Sequence, residues 1–397
     1  MKVRLSVESL FFFLVIYNPI LSFLFDSTQI YYHYLLYPII MILILIKAAE
    51  QKKLFYCSIC ICISVAFCEL TAILFDSPLG KLNNHLFNYT DAILLMLYIS
   101  NINNIYSFIK LTKKNINKIG LIVLFINCAE LIMLLKHQGY VYVYSWHGTF
   151  FQGSNSMPHT LSYLMLATII FVIVYTVITR KKVFALMAII PSYCVFLSGA
   201  RVSLLLCVVL DAILVSFTLT EKQKSIIVKF IKIAPWIVAG LFIFRNKIFA
   251  SDVMAKIITR SKSGNLSAGR TYMWNDLLSK YINESNIIQY FLGQGDDKSY
   301  YFNQINPLVG VEVWAHNDIV QVIIGKGLVG LFIYTTILIC FFNVLIKRSG
   351  NIYTYAIIFF IIVAMLLNGF YSYRDVNLCI PFFIVINELL SYKGLKP

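Results

Sequence analysis

Charge is scarce in this chain: Asp, Glu, Lys and Arg make up 13% of its 397 residues, against 59% hydrophobic side chains and a mean hydropathy of +0.78. Too little polar surface remains to cover a core in water, which excludes a soluble globule and requires an integral membrane protein. Cysteine offers no framework. Its positions, 57, 60, 62, 68, 128, 194, 207, 340 and 379, all lie inside apolar runs, so neither disulfides nor a zinc site is indicated, and "CSIC" at 57–60 reads as small apolar filling of a buried helix. The stretch "MKVRLSVESLFFFLVIYNPILSFLF" has a basic start and an apolar run but no small-residue cleavage site, so an uncleaved first span is expected. No pattern is duplicated between the two halves, as the inverted repeats of many transporters would require.

Long apolar runs are what the chain has instead. A helix needs roughly 20 residues to cross the hydrocarbon core. About twelve candidates meet that measure, near residues 9–25, 30–46, 54–75, 86–103, 119–135, 160–179, 183–199, 201–219, 226–244, 327–346, 353–371 and 376–392, with "SNINNIY" interrupting the fourth. Every second connection is basic ("MKVR", "KAAEQKK", "KLTKKNINK", "RKK", "EKQK", "KR", "KGLKP"), whereas "DSTQIYYHY", "FDSPLGKLNNH", "LSGAR" and "YSYRD" carry little positive charge. The positive-inside rule then places both termini in the cytoplasm. The expected fold class is an all-α polytopic membrane protein of about 12 transmembrane helices: helices 1–9 over residues 1–245, one long outer loop over 246–315, and helices 10–12 over 316–397.

The same alternation explains the net charge of +15. In the long loop, Lys247, Lys256, Arg260, Lys262, Arg270, Lys280 and Lys298 nearly balance Asp252, Asp276, Glu284, Asp296, Asp297 and Glu312. The basic excess therefore sits in cytoplasmic loops, and no nucleic-acid-binding face is expected.

Two outer segments are too long for simple turns. The first, around 136–159, contains "YVYVYSWHGTFFQGSNSMPH", whose Tyr residues alternate like a strand; it reads either as an interfacial aromatic belt or as a platform for sugar rings. The second is the loop 246–315, and loops longer than about 15 residues in a compact fold are usually functional or disordered. Within it, "LSAGRTYMWNDLLSKYI" places Met273, Trp274, Leu277, Leu278, Tyr281 and Ile282 on one helical face, with Ser267 suited to cap it. An amphipathic helix on the membrane surface is expected, with Arg270 in its first turn.

Three features converge on the outer side: Arg201 in "LSGARVSLLL" at the end of the eighth span, Arg270 at the start of the loop helix, and His316 before a helix that Asn317 or Asp318 can cap, Gln321 completing a capping box with Asp318. Guanidinium groups bind phosphate oxygens bidentately and stay charged at any working pH. A helix N-terminus adds oriented N–H donors. A neutral imidazole beside them can take a proton from an attacking hydroxyl. This set suits a phosphorylated lipid and displacement of a diphosphate by an alcohol. Asn317 is a further candidate contact to diphosphate or sugar, and Lys326 reads either as another anion contact or as a side chain that snorkels; Tyr272, Trp274 and Trp314 are candidate sugar contacts. No metal site or other cofactor is expected, Asp296 and Asp297 reading as a solvated loop.

The elements "LSGARVSLLL", "SAGRTYMWNDLL" with "FLGQG", and "WAHNDIVQVIIGKGLVGLF" resemble those of the O-antigen polymerase and O-antigen ligase superfamily of bacterial inner-membrane proteins, over roughly residues 190 to 350. The resemblance implies a glycosyltransferase C class fold, an active site in the periplasm and transfer of a glycan from undecaprenyl diphosphate. It also implies that Arg270 and Arg201 bind the diphosphate, that His316 activates the acceptor, that Arg374 at the outer start of the last span, where related proteins tend to carry an Arg, contacts diphosphate or sugar with Asp375 placed to hold it, and that a chain-length regulator is a partner. Many members carry an acid in the helix after His-Asn, where this chain has Gly325 and Lys326, so no role for that acid transfers.

Three functions follow for testing. A polymerase would move the growing glycan onto the non-reducing end of a new lipid-linked repeat unit. A ligase would move it onto the sugar of a lipid A core. The bias toward Ile, Asn, Lys, Tyr and Phe, frequent in strain-variable polysaccharide clusters, favours the polymerase. A transporter is the third reading, because Glu69, Asp91, Glu130, Asp211 and Glu388 lie inside predicted spans, where charge needs a reason.

Overall fold

The computed structural model describes residues 6–25, 32–74, 84–143, 148–218, 270–306, 309–310 and 313–391. The chain runs through α1 (Val7–Phe25), α2 (His33–Ala49), α3 (Lys52–Leu74), α4 (Asn84–Ile99), α5 (Ile102–Lys114) and α6 (Ile116–Leu135). The hairpin β1 (Tyr140–Val143) and β2 (Gly148–Phe151) follows, then α7 (Pro158–Thr179), a 3₁₀ turn (Lys182–Ala188), α8 (Ile189–Leu197) and α9 (Arg201–Thr218). Next come α10 (Arg270–Glu284), α11 (Ile287–Leu292) and α12 (Lys298–Gln304), and then α13 (Asp318–Arg348), α14 (Ile352–Leu367), α15 (Arg374–Asn377) and α16 (Ile380–Ser391).

Six of these helices, α1, α3, α6, α7, α9 and α13, are long and apolar enough to cross a membrane, or seven if the α4–α5 pair counts as one span. The architecture is thus that of a helical, multi-pass membrane protein. The expected ninth span, 226–244, lies outside the described residues, as does the Ser267 cap.

Three expected spans take another form. The fourth ends at Ile99, where Asn101 accepts a bond from Asn103 N–H (3.0 Å) and Asn104 Nδ2 donates to Tyr98 O (2.9 Å), so the chain turns through 97° into α5. The seventh opens as a 3₁₀ turn and leaves only the nine residues of α8 as regular helix. The last is broken between α15 and α16.

Nearly every side chain of α7 is buried, the signature of a helix apolar on all sides. It forms the central post, packed against α6, α8, α9 and α16. Polar groups on it face polar groups on its neighbours: Ser162 meets Ser203 at 2.8 Å. The alternating Tyr segment forms the antiparallel hairpin, Tyr140 pairing with Phe151 and Val143 with Gly148. Glu130 of α6 holds its exit through Ser154 Oγ (2.8 Å).

Candidate functional site

The site grows from the end of α14. After Leu367 the chain turns through Gly369, at φ +91°, where any Cβ would meet the Trp314 ring. That turn, Asn368–Tyr373, gathers side chains from four other parts of the chain.

Arg270, the first residue of α10, donates to the Leu367 carbonyl and to Asn368 Oδ1 (3.1 Å). Asn368 Nδ2 in turn donates to the Tyr163 hydroxyl of α7 (2.8 Å), and the Tyr163 ring lies flat on Tyr373, centroids 3.6 Å apart. Trp314 meets Tyr373 edge-on at 5.9 Å and neighbours His316 at 4.7 Å. Burial pushes the Tyr373 phenol up to about 12, against the pull of the Arg270 guanidinium, so it stays a neutral hydroxyl.

Arg201 reaches the same end of the bundle by a parallel route. It opens α9 after the turn at Gly199 (φ +66°), and Ser203, two residues on, bonds Ser162, the neighbour of Tyr163 on α7. Arg374 follows Tyr373 directly. Its Nη2 donates to Ser22 Oγ (3.2 Å), and its guanidinium sits 4.6 Å from the Tyr32 ring centroid. Asp375 lies 4.0 Å from Arg374 Nε, but its stronger bonds come from Asn18 (2.8 Å) and Ser22 (3.1 Å) of α1. Arg201, Arg270, Arg374, Trp314 and His316 are therefore joined through the starts of α7 and α9 and the turn after α14.

His316 stands immediately before α13 with φ +52°, a left-handed conformation that non-glycine residues adopt at a cost and that clusters at functional positions. Asp318, fully buried, holds this start of α13 onto the turn: Oδ2 accepts from Tyr334 (2.9 Å), Phe370 N–H (2.8 Å) and Tyr371 N–H (3.2 Å).

Several expectations are corrected here. Asn317, not Asp318, caps α13; its Oδ1 accepts from Ile319 (2.9 Å) and Val320 N–H (3.2 Å), and its Nδ2 donates to Leu366 O (3.0 Å). It is thus engaged at both ends, and the N–H groups it caps are not open to an anion. Gln321 completes no box with Asp318; it bonds Ser299 (2.8 Å) and Asp296 O (3.0 Å) and accepts from Ala315 N–H (3.2 Å).

Lys326 neither snorkels nor faces the Arg set. It is 1% exposed, ion-paired with Glu69 of α3 and with Asp296 (2.6 Å). Asp296 is accordingly buried rather than solvated, and its carboxylate occupies the space that a side chain at Gly325 would need. Trp274 spends its indole N–H on Ala315 O (2.6 Å), fastening α10 to the segment before His316, while Tyr272 is exposed on α10. Rather than standing alone, α10 packs Met273, Leu277 and Tyr281 with Phe302, Ala315, Val320 and Ile324.

Among the described residues no group of three or more His, Cys, Asp or Glu could hold a metal ion. An end of the bundle carrying three guanidinium groups, with its nearest carboxylates Asp318 and Asp375 bonded internally, is suited to a polyanion.

Residues 184–335 match the family model described as O-antigen ligase. The match supports the resemblance of this part of the chain to the O-antigen polymerase and ligase superfamily. No curated protein matches the chain. The ligase-family segment takes in Arg201, Arg270, Trp314, His316 and Lys326, and stops before the Asn368–Tyr373 turn on which Arg270 and Trp314 rest. Neither that turn nor Tyr163 stands out in the sequence, since a Tyr in an apolar run reads as core; the glycine after Asn368 was the available signal.

Proposed function

We propose that the protein is a metal-independent surface-polysaccharide polymerase of the bacterial inner membrane, with its active site on the periplasmic face. It transfers the growing glycan from undecaprenyl diphosphate to the non-reducing end of a new lipid-linked repeat unit. The observation that supports this reading is the meeting of Arg270 and Trp314, the neighbour of His316, at the Asn368–Tyr373 turn, with Arg201 opening α9 two residues before Ser203, which bonds α7 through Ser162.

In the reaction, an acceptor hydroxyl oxygen attacks the anomeric carbon of the donor glycan. The bond from that carbon to the diphosphate oxygen breaks, and undecaprenyl diphosphate leaves with the electron pair. His316 takes the hydroxyl proton, while Arg201 and Arg270 meet the charge developing on the diphosphate, as preorganised cations do for leaving groups. Direct attack inverts the anomeric centre. Arg374 and Trp314 lie where they can contact diphosphate or sugar. A chain-length regulator is a partner this reading expects.

The matching family's description as O-antigen ligase favours a second reading, a ligase with the same donor and a lipid A core acceptor. A transporter is less well supported: Glu69, Glu130, Asp211 and Glu388 are each bonded to a neighbouring helix or loop group in ways that fix packing, while Asp91 is buried with neither carboxylate oxygen hydrogen-bonded among the described residues.

Proteoliposomes supplied with undecaprenyl diphosphate-linked repeat units, with products read on a gel, test the proposal. A ladder is expected from the parent chain and none from His316→Ala. Transfer seen only after lipid A core is added would make it a ligase, and silence with both acceptors would overturn the reading.

A further inference from the structure

Between α10 and α12 the outer loop turns down against two spans. Gln294 N–H donates to Ile324 O (2.7 Å) and Gly295 N–H to Gly325 O (3.2 Å). Those carbonyls lie six and seven residues into α13, roughly 9–10 Å along its axis from the first residue. Gly293, at φ +88°, sits so close to Gly325 and Lys326 that a Cβ there would strike their backbone. Asp296 carries its carboxylate to Lys326, which also pairs with Glu69, five residues before the end of α3. The segment 293–296 is therefore sunk beside the spans rather than resting on top of them.

Immediately before it, α11 packs against both α3 and α13. None of its residues is buried: Ile287 is 76% exposed, Ile288 45%, Tyr290 38% and Phe291 50%. On the α3 side, Leu70, Ile73 and Leu74 are exposed in the same way, and α3 is one of the helices fit to cross the membrane. The apolar surface of α11 thus continues the face that a span offers to lipid. Its two ends are capped, which lowers the cost of backbone in hydrocarbon. Asn286 and Gln289 form a reciprocal capping box at its start, and Gly293 N–H closes on Gln289 O (2.7 Å) at its end. Left in water, each such side chain forgoes the stabilisation that removal from water would give.

We infer that α11 is inserted in the outer leaflet, with Ile287, Ile288, Tyr290 and Phe291 in contact with lipid acyl chains, so that the loop bearing Arg270 is pinned at the depth of the membrane surface. This inference does not depend on which acceptor the protein uses.

The test uses the full chain in nanodiscs of phosphatidylethanolamine and phosphatidylglycerol, doped with a phosphatidylcholine carrying a diazirine midway along one acyl chain. One sample is irradiated and a second is exposed to hydroxyl radicals generated in water, both mapped by peptide mass spectrometry. The expected result is acyl label on 287–292, with Tyr290 and Phe291 oxidised several-fold more slowly than in the chemically unfolded chain. Rapid oxidation without acyl label would put α11 in water and leave its face to a protein partner. Slow oxidation without acyl label would mean that another part of the chain covers it. Either result overturns the inference.

Discussion

His316, Asn317 and Asp318 are consecutive, yet they face three different tasks. His316 is held in a left-handed conformation before α13, Asn317 closes the helix end, and Asp318 disappears into the protein to hold the turn after α14. Asp318→Ala would leave the Tyr334 hydroxyl and two backbone N–H groups without their acceptor, each buried donor costing about 1–3 kcal/mol. The expected outcome is a clear fall in thermal unfolding temperature in detergent, with glycan transfer lost even below that temperature because Trp314 and Arg270 rest on the same turn. Full transfer by this variant would show that the turn does not position the site. Residue types alone named His316, Arg201 and Arg270 as chemistry-bearing, because charge and imidazole are rare here and stand out. They could not reveal that Asn317 spends both its polar atoms on structure, since a cap and a ligand look identical in a sequence.

At the scale of elements, periodicity and hydropathy made most helices legible, and the alternating Tyr residues read as a strand, though not as the hairpin that β1 forms with β2. What failed was length: a run of apolar residues does not say where a helix bends. Asn101 and Asn104 redirected the fourth span, and a 3₁₀ turn shortened the seventh. Lys326, Glu69 and Asp296 were equally hidden, because their meeting depends on contacts across 257 and 30 positions of sequence. Lys326→Met alone would leave two buried carboxylates unpaired, and breaking such a set by one member typically costs about 3–5 kcal/mol. Lys326→Met combined with Glu69→Gln and Asp296→Asn should recover most of that loss. Unfolding monitored in the same detergent compares the two, and equal instability would show that packing, not charge, is what the substitution disturbs.

For the whole molecule, the alternation of basic loops predicts an orientation, with the Arg set outside and Lys347 and Arg348, at the end of α13, in the cytoplasm. Arg348 pairs there with Glu388 of α16, and Asn387 with Ser349 (2.7 Å) and Thr354 (2.7 Å). A periplasm-dependent phosphatase fused after Gly350 should be inactive, and one inserted in the hairpin 140–151 should be active; the reverse pattern would invert the topology and remove the site from the periplasm. The triad of Lys326, Glu69 and Asp296 bears on biogenesis. The ribosome delivers Glu69 first, Asp296 next and Lys326 last, so α3 enters the membrane before its cation exists, and α13 must bring in a lysine that costs about 2.5–3.5 kcal/mol at a helix centre until partnered. Neutrality comes only when the loop folds back onto both spans. On the proposed topology, the final step of assembly is then the docking of a segment that has already crossed the membrane, and the face proposed for catalysis closes only after the chain has been almost completely made.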